Sequence, residues 1–128
     1  MIATRGLAHV ALNVSKLEET VRFYQEVFGM RVVWQPDADN VYLSSGPDNL
    51  ALHRSREPRA TEGSPLDHVG FLVDGPEQVF AAADALAKRG VPILRPPKRH
   101  RDGSTSLYLE DPDGNLVQIL HEPNAVMR

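Results

Sequence analysis

The stretch "LAHVALNV" (7–14) returns as "LDHVGFLV" (66–73), with Leu, His, Val and Val at matching places 59 residues apart. Each run is too short for a stable helix and predicts a strand. Successive strand residues face opposite sides of a sheet, so His9 shares a face with Ala11 and Asn13, while Val10, Leu12 and Val14 share the other. The apolar set predicts packing under a helix. In the second copy His68 sits with Gly70 and Leu72, opposite Val69, Phe71 and Val73, and so lies away from the helix side.

The residues after each copy repeat as well. "SKLEETVRFYQEVFG" (15–29) changes period: Leu17, Val21, Tyr24 and Phe28 fall on one helical face, and Ser15 with Glu18 three residues later predicts a capping box. Glu18 and Arg22 are placed for an i,i+4 pair, and Gly29 for a left-handed stop. Strands are predicted in "MRVVWQ", "NVYLSS" and "LALHRS", separated by the turn compositions "PDAD" and "GPDN". Residues 54–65 combine charge, proline and glycine without periodicity and read as a linker. The second half then gives its strand, a helix in "GPEQVFAAADALAKRG" entered through Pro76 and ended at Gly90, and strands in "VPILRP", "SLYLED" and "NLVQILHE". Gly29 matches Gly90, Tyr42-Leu43 match Tyr108-Leu109, and Asn49-Leu50 match Asn115-Leu116, at offsets of 61, 66 and 66. Landmarks recurring in one order at nearly one spacing predict a duplicated βαβββ unit. The chain is then an α+β protein forming one domain over 1–128, with module one at about 5–56 and module two at about 65–123.

Composition narrows the function. A length of 128 residues suits one domain, and 41% hydrophobic with 24% charged residues is ordinary for a globular protein. A net charge of −3 argues against a nucleic-acid partner. The absence of cysteine removes disulfide scaffolds, zinc fingers and thiol nucleophiles together. No run approaches the length of an apolar membrane span, and the opening residues lack the pattern of a cleaved leader, so a soluble cytoplasmic protein without a membrane partner is expected.

If two like modules assemble about a pseudo-twofold axis, His9 and His68 converge at mirrored positions of one cleft. A divalent ion held by imidazoles needs further donors. In "NLVQILHE" Gln118 is the polar residue at mid-strand on the less apolar face, whereas His121 has the other parity and reads as a surface or supporting group. Glu122 has the parity of Gln118 but lies about 13 Å further along the strand. "NLALHRS" admits two registers. In one, Ala51 and His53 face the cleft and His53 is a ligand or substrate contact; in the other, taken from the Asn49/Asn115 match, Leu52 stands opposite Gln118 and His53 turns outward.

"AHVALNV", "LEETVRFYQEVFGM", "DHVGFLV" and above all "SLYLEDPDGNLVQIL" resemble the vicinal oxygen chelate superfamily, which includes glyoxalase I, extradiol dioxygenases, methylmalonyl-CoA epimerase, fosfomycin-resistance enzymes and bleomycin-binding proteins. The resemblance covers essentially the whole chain, and "DPDGN" (111–115) is its most specific element. It implies paired βαβββ modules wrapping curved mixed sheets around a cleft, usually in a homodimer, with a divalent metal (Fe, Mn, Zn or Ni) held by residues of the first and last strands. His9 and His68 match ligand positions, and Gln118 stands where a glutamate is usual. An amide oxygen is a neutral, weaker donor, so such a set holds metal less tightly. The resemblance further implies an oxygen-rich small-molecule substrate chelated through two adjacent oxygens, with lyase, isomerase or dioxygenase chemistry; in that reading the strand residue His53 is the candidate base. The missing glutamates leave a second reading open, a metal-free protein that sequesters a drug or metabolite as bleomycin-resistance proteins do.

Other residues have two uses each. "RPPKRHRDG" (95–103) offers Arg95 as a clamp for an anionic substrate and also reads as a solvated loop. Tyr42 and Tyr108 can donate phenolic hydrogen bonds to a substrate or serve packing, and Trp34 can floor an apolar pocket or a subunit contact.

Overall fold

The computed structural model describes residues 1–57 and 63–123. Two compact units divide the chain, Met1–Glu62 and Gly63–Arg128. The central part of the expected linker, 58–62, lies outside the described residues.

Unit one runs β1 (Val10–Val14), α1 (Leu17–Phe28), β2 (Arg31–Asp37), β3 (Asn40–Ser44) and β4 (Leu50–Arg54). Its sheet order is β1-β4-β3-β2, with β1 parallel to β4 and the other pairs antiparallel. Unit two repeats this as β5 (Val69–Leu72), α2 (Pro76–Lys88), β6 (Ile93–Arg99), β7 (Thr105–Glu110) and β8 (Leu116–His121), in sheet order β5-β8-β7-β6. The predicted βαβββ duplication is therefore present strand for strand.

Alternation along the strands builds each core. Leu12, Val14, Val41, Leu43, Leu50 and Leu52 are buried with Leu17 and Tyr24 of α1; in unit two Leu107, Leu109, Val117 and Ile119 are buried with Val79 and Leu86 of α2. Each such side chain contributes about 1.5–3 kcal/mol by leaving water. Helix α1 ends as expected: Gly29 takes the left-handed conformation (φ 66°), and the Met30 N–H reaches back to the Tyr24 carbonyl. Its start differs. The N-cap is Lys16, which makes no side-chain capping bond, and both oxygens of the Glu18 carboxylate accept from the Arg54 guanidinium at the end of β4. Arg54 also binds Asp39, and its hydrogen bonds to Glu18 hold that carboxyl below the usual carboxylate range.

The "DPDGN" turn is a hydrogen-bonded knot. Buried Asp111 accepts from the N–H groups of Asp113 and Asn115 and from the Asn115 side chain, each at 2.9 Å, and Gly114 supplies a positive φ of 84°. This sets the entry of β8. Strand β6 runs further than expected, through Arg99, so the basic run at 95–103 is half strand rather than loop.

Both sheets carry the same irregularities. The register of β2 on β3 shifts between Val32 and Trp34 and again between Trp34 and Asp37; that of β6 on β7 shifts between Ile93 and Arg95 and again between Arg95 and Lys98. Bulges re-aim side chains. Here they turn Trp34 and Arg95 onto their tyrosine partners, and Asp37 and Lys98 onto Asn40 and Ser106. No helix among the described residues is long and apolar enough to cross a membrane.

Candidate metal and substrate site

On the face of each sheet opposite the leucine core, cross-strand pairing lines side chains into rows. In unit one the first row is Ala11, Ala51, Tyr42, Trp34 and the second is Asn13, His53, Asn40, Asp37. In unit two the matching rows are Gly70, Gln118, Tyr108, Arg95 and Leu72, Leu120, Ser106, Lys98. This decides the open register: Ala51 is the counterpart of Gln118, and His53 shares the face of Ala51 and Tyr42. The Asn49/Asn115 match is one residue out of step with the pairing.

The tyrosines are the hubs of both rows. The Tyr42 ring has Trp34 tilted against it at 4.9 Å between centroids, with His9 (6.5 Å) and His53 (5.9 Å) meeting it edge-on. The Tyr108 ring has the Arg95 guanidinium 4.9 Å from its centroid and His68 edge-on at 5.8 Å. Its hydroxyl accepts a 2.9 Å hydrogen bond from the Gln118 amide. His9 and His68 each stand one residue before the first strand of their unit. Unit two therefore brings together His68, Gln118, Tyr108 and Arg95, and unit one brings together His9, Tyr42 and His53 with Trp34. His121 lies on the core face beside Thr105, its register partner; the His121 Nδ1 and Thr105 Oγ1 are buried without a hydrogen-bond partner among the described residues.

The donor chemistry suits a divalent ion in part. His68 Nδ1 is 2.6 Å from Asp67 Oδ2, and a carboxylate on one ring nitrogen leaves Nε2 free to ligate. Gln118 spends its NH₂ on Tyr108 and keeps its carbonyl oxygen. Gly70 makes room for that oxygen: a Cβ there would lie 3.5 Å from Gln118 Oε1 and 3.2 Å from Leu120 Cδ2. These are neutral donors, and no three His, Cys, Asp or Glu residues come together among the described residues. The residues fit a borderline ion bound through imidazole and amide, and bound weakly.

Three partners escaped the sequence reading. Asp67 was visible as the neighbour of His68. Asn40, 2.6 Å from His53 Nδ1 through its Oδ1, shares strand parity with Tyr42 and could have been found by it. His100, whose Nε2 is 2.8 Å from Ser106 Oγ, comes after a bulged strand whose parity the sequence does not reveal.

Two four-stranded mixed sheets, each with one helix, define the paired βαβββ class. The Glyoxalase/Bleomycin resistance protein/Dioxygenase superfamily profile matches residues 6–119, and the chain belongs to that superfamily. It is similar to a trivalent organoarsenical cleaving enzyme of a Bacillus species, 31% identical over 93% of this chain and 74% of the relative. It is also similar to the metallothiol transferase FosB of Bacillus licheniformis, 27% identical over 89% of this chain and 73% of the relative. Among solved structures, a lactoylglutathione lyase from Agrobacterium tumefaciens superposes with a TM-score of 0.78 at 25% identity, covering 92% of this chain and 94% of the other.

Proposed function

We propose that the protein is a small metal-dependent enzyme acting on an oxygen-rich small molecule by bidentate chelation, as a lyase, isomerase or dioxygenase-like catalyst. His68 and Gln118 are the ligands proposed in unit two, and His9 is the ligand candidate of unit one. A divalent ion (Fe, Mn, Zn or Ni) there would act as a Lewis acid on two adjacent substrate oxygens. His53 is the base, and Arg95, Tyr42 and Tyr108 contact substrate: Arg95 by its charge, the tyrosines by their hydroxyls and ring faces. The observation that carries this reading is the pair of committed contacts in unit two, Asp67 on His68 Nδ1 and Tyr108 on the Gln118 amide, which leave an imidazole nitrogen and a carbonyl oxygen available to one ion. The names of the relatives support metal and small-molecule chemistry in this superfamily, a metallothiol transferase among them.

The same reading includes a homodimer, supported by apolar residues exposed at the terminal strands of the sheets, Leu7 just before β1, Val10 at its start and Leu72 on β5. It also places the protein in the cytoplasm, which cell fractionation reads. A metal-free binding protein is the second reading, favoured by Ala51 and Gln118, neither a carboxylate, at the two matched last-strand positions. Metal analysis of protein purified without chelator or histidine tag separates the two. About one ion per chain, lost in His68→Ala, supports the enzyme; no ion in either protein leaves the binding module.

A further inference from the structure

The second row of unit one is polar from edge to edge, whereas its counterpart in unit two begins Leu72, Leu120. The fold therefore accepts leucine in that place, and the polar set Asn13, His53, Asn40, Asp37 is not a requirement of sheet packing.

Within this row the hydrogen bonds have a single direction. Asp37 is a carboxylate and can only accept: it takes bonds from the Asn40 NH₂ at 2.8 and 3.0 Å, and from the Asp39 N–H at 2.8 Å. That contact orients the Asn40 amide, because the flipped amide would set its carbonyl oxygen against the carboxylate. Asn40 Oδ1 is then the atom facing His53 Nδ1 at 2.6 Å, and an oxygen acceptor there requires the ring nitrogen to be the donor. We infer that Asp37 and Asn40 are positioning residues which hold neutral His53 in its Nδ1–H tautomer and leave a bare lone pair on Nε2.

The consequence is a direction for proton transfer. With Nδ1 committed, neutral His53 can receive a proton at Nε2 but has none to give there. It takes H⁺ from a carbon, oxygen or sulfur acid of the substrate: the bond to that hydrogen breaks, its electron pair stays on the substrate atom, and the new Nε2–H bond leaves a cationic ring. Asn40 Oδ1 keeps its bond from Nδ1–H throughout, so the ring does not turn as the proton arrives. The substrate class is thus one whose reaction begins by losing a proton, which disfavours a first step in which His53 acts as acid. This catalytic use rests on the proposed role of His53 as base; the tautomer does not.

The test is long-range ¹H–¹⁵N correlation on the full chain labelled with ¹⁵N-histidine, at a pH where imidazoles are neutral. His53→Gln, by removing one of five histidine signals, assigns the resonance. The parent should show Nδ1 protonated and Nε2 bare. Asn40→Ala should move His53 predominantly to the Nε2–H form, and Asp37→Ala should give a mixture as the amide is freed to turn. A parent protein with His53 in the Nε2–H form overturns the inference, and so does an unchanged tautomer in Asn40→Ala. Should Asn40→Ala fail to fold, the parent spectrum alone still decides. No metal is involved in the readout, so a protein that binds no metal but shows the Nδ1–H tautomer refutes the enzyme reading and leaves this inference intact.

Discussion

Replacing the amide of Gln118 by a carboxylate perturbs the site with little change of shape. At present the amide donates to the Tyr108 hydroxyl at 2.9 Å. In Gln118→Glu the same contact reverses, with the phenol O–H donating to a carboxylate, a charge-assisted bond of similar length. Arg95, 4.9 Å from the Tyr108 ring centroid, adds a cation to the same row. The fold should therefore tolerate the change, with stability within about 1 kcal/mol of the parent. Metal affinity should not stay the same. Attraction between a divalent ion and a carboxylate in surroundings of dielectric about 20 is about 8 kcal/mol at about 4 Å. Drawing the carboxylate out of water returns several kcal/mol of this. A net gain of about 1.5–3 kcal/mol remains, a ten- to hundredfold tighter Kd. Isothermal titration of metal-free parent and variant with Zn²⁺ or Mn²⁺ measures it, at fixed pH and buffer. Unchanged or weaker binding in a folded Gln118→Glu protein would refute the placement of Gln118 as a ligand, because a carboxylate within reach of a cation improves on a neutral amide.

The scaffold sets the other expected outcomes. Leu52 has no exposed surface beneath α1, so Leu52→Ala should cost about 2–5 kcal/mol, read by urea denaturation; a loss under about 1 kcal/mol would mean the core closes over the gap. Asp111→Ala removes the acceptor of the Asp113 and Asn115 bonds and should cost about 1–3 kcal/mol, while Asp113→Ala, whose side chain is not the acceptor of these bonds, should cost less. Glu18 has its pKa lowered by Arg54, so its stabilising contribution is present above the unfolded-state pKa and is lost as pH falls through the lower folded-state value. The stability difference between Glu18→Gln and the parent should therefore narrow on acidification, and a difference independent of pH would contradict the ion pair.

The fold was legible because duplication makes the two halves check one another: strand period, helix period, Gly29 and the "DPDGN" turn all recur or fit in order. The candidate site was legible only in its first layer. His9, His68 and Gln118 could be placed by parity, since they lie on or beside regularly paired strands. Hidden from the sequence was whatever a bulge or a remote partner decides. The doubled register shifts in β2 and β6 that bring Asp37 and Lys98 onto the site face are signalled in "RVVWQPD" and "ILRPPKR" only by their prolines, which mark edge strands and bulges without fixing where the register changes. The capping-box pattern at Ser15 gives no sign of Arg54, 36 residues after Glu18, which takes both oxygens of that carboxylate. His53 was ambiguous for a related reason: two sequence matches one residue apart imply opposite faces, and only hydrogen-bonded pairing with Asn13 and Asn40 chooses between them.

Ligation of one metal ion by His68 and Gln118 is the step on which the enzyme reading stands, and anomalous diffraction from crystals grown with Mn²⁺ or Zn²⁺ reads it without an intervening assay. An anomalous peak about 2.0–2.3 Å from both His68 Nε2 and Gln118 Oε1 is expected. Metal-loaded crystals with no peak at these two atoms, or with the peak at unrelated surface carboxylates, would contradict it.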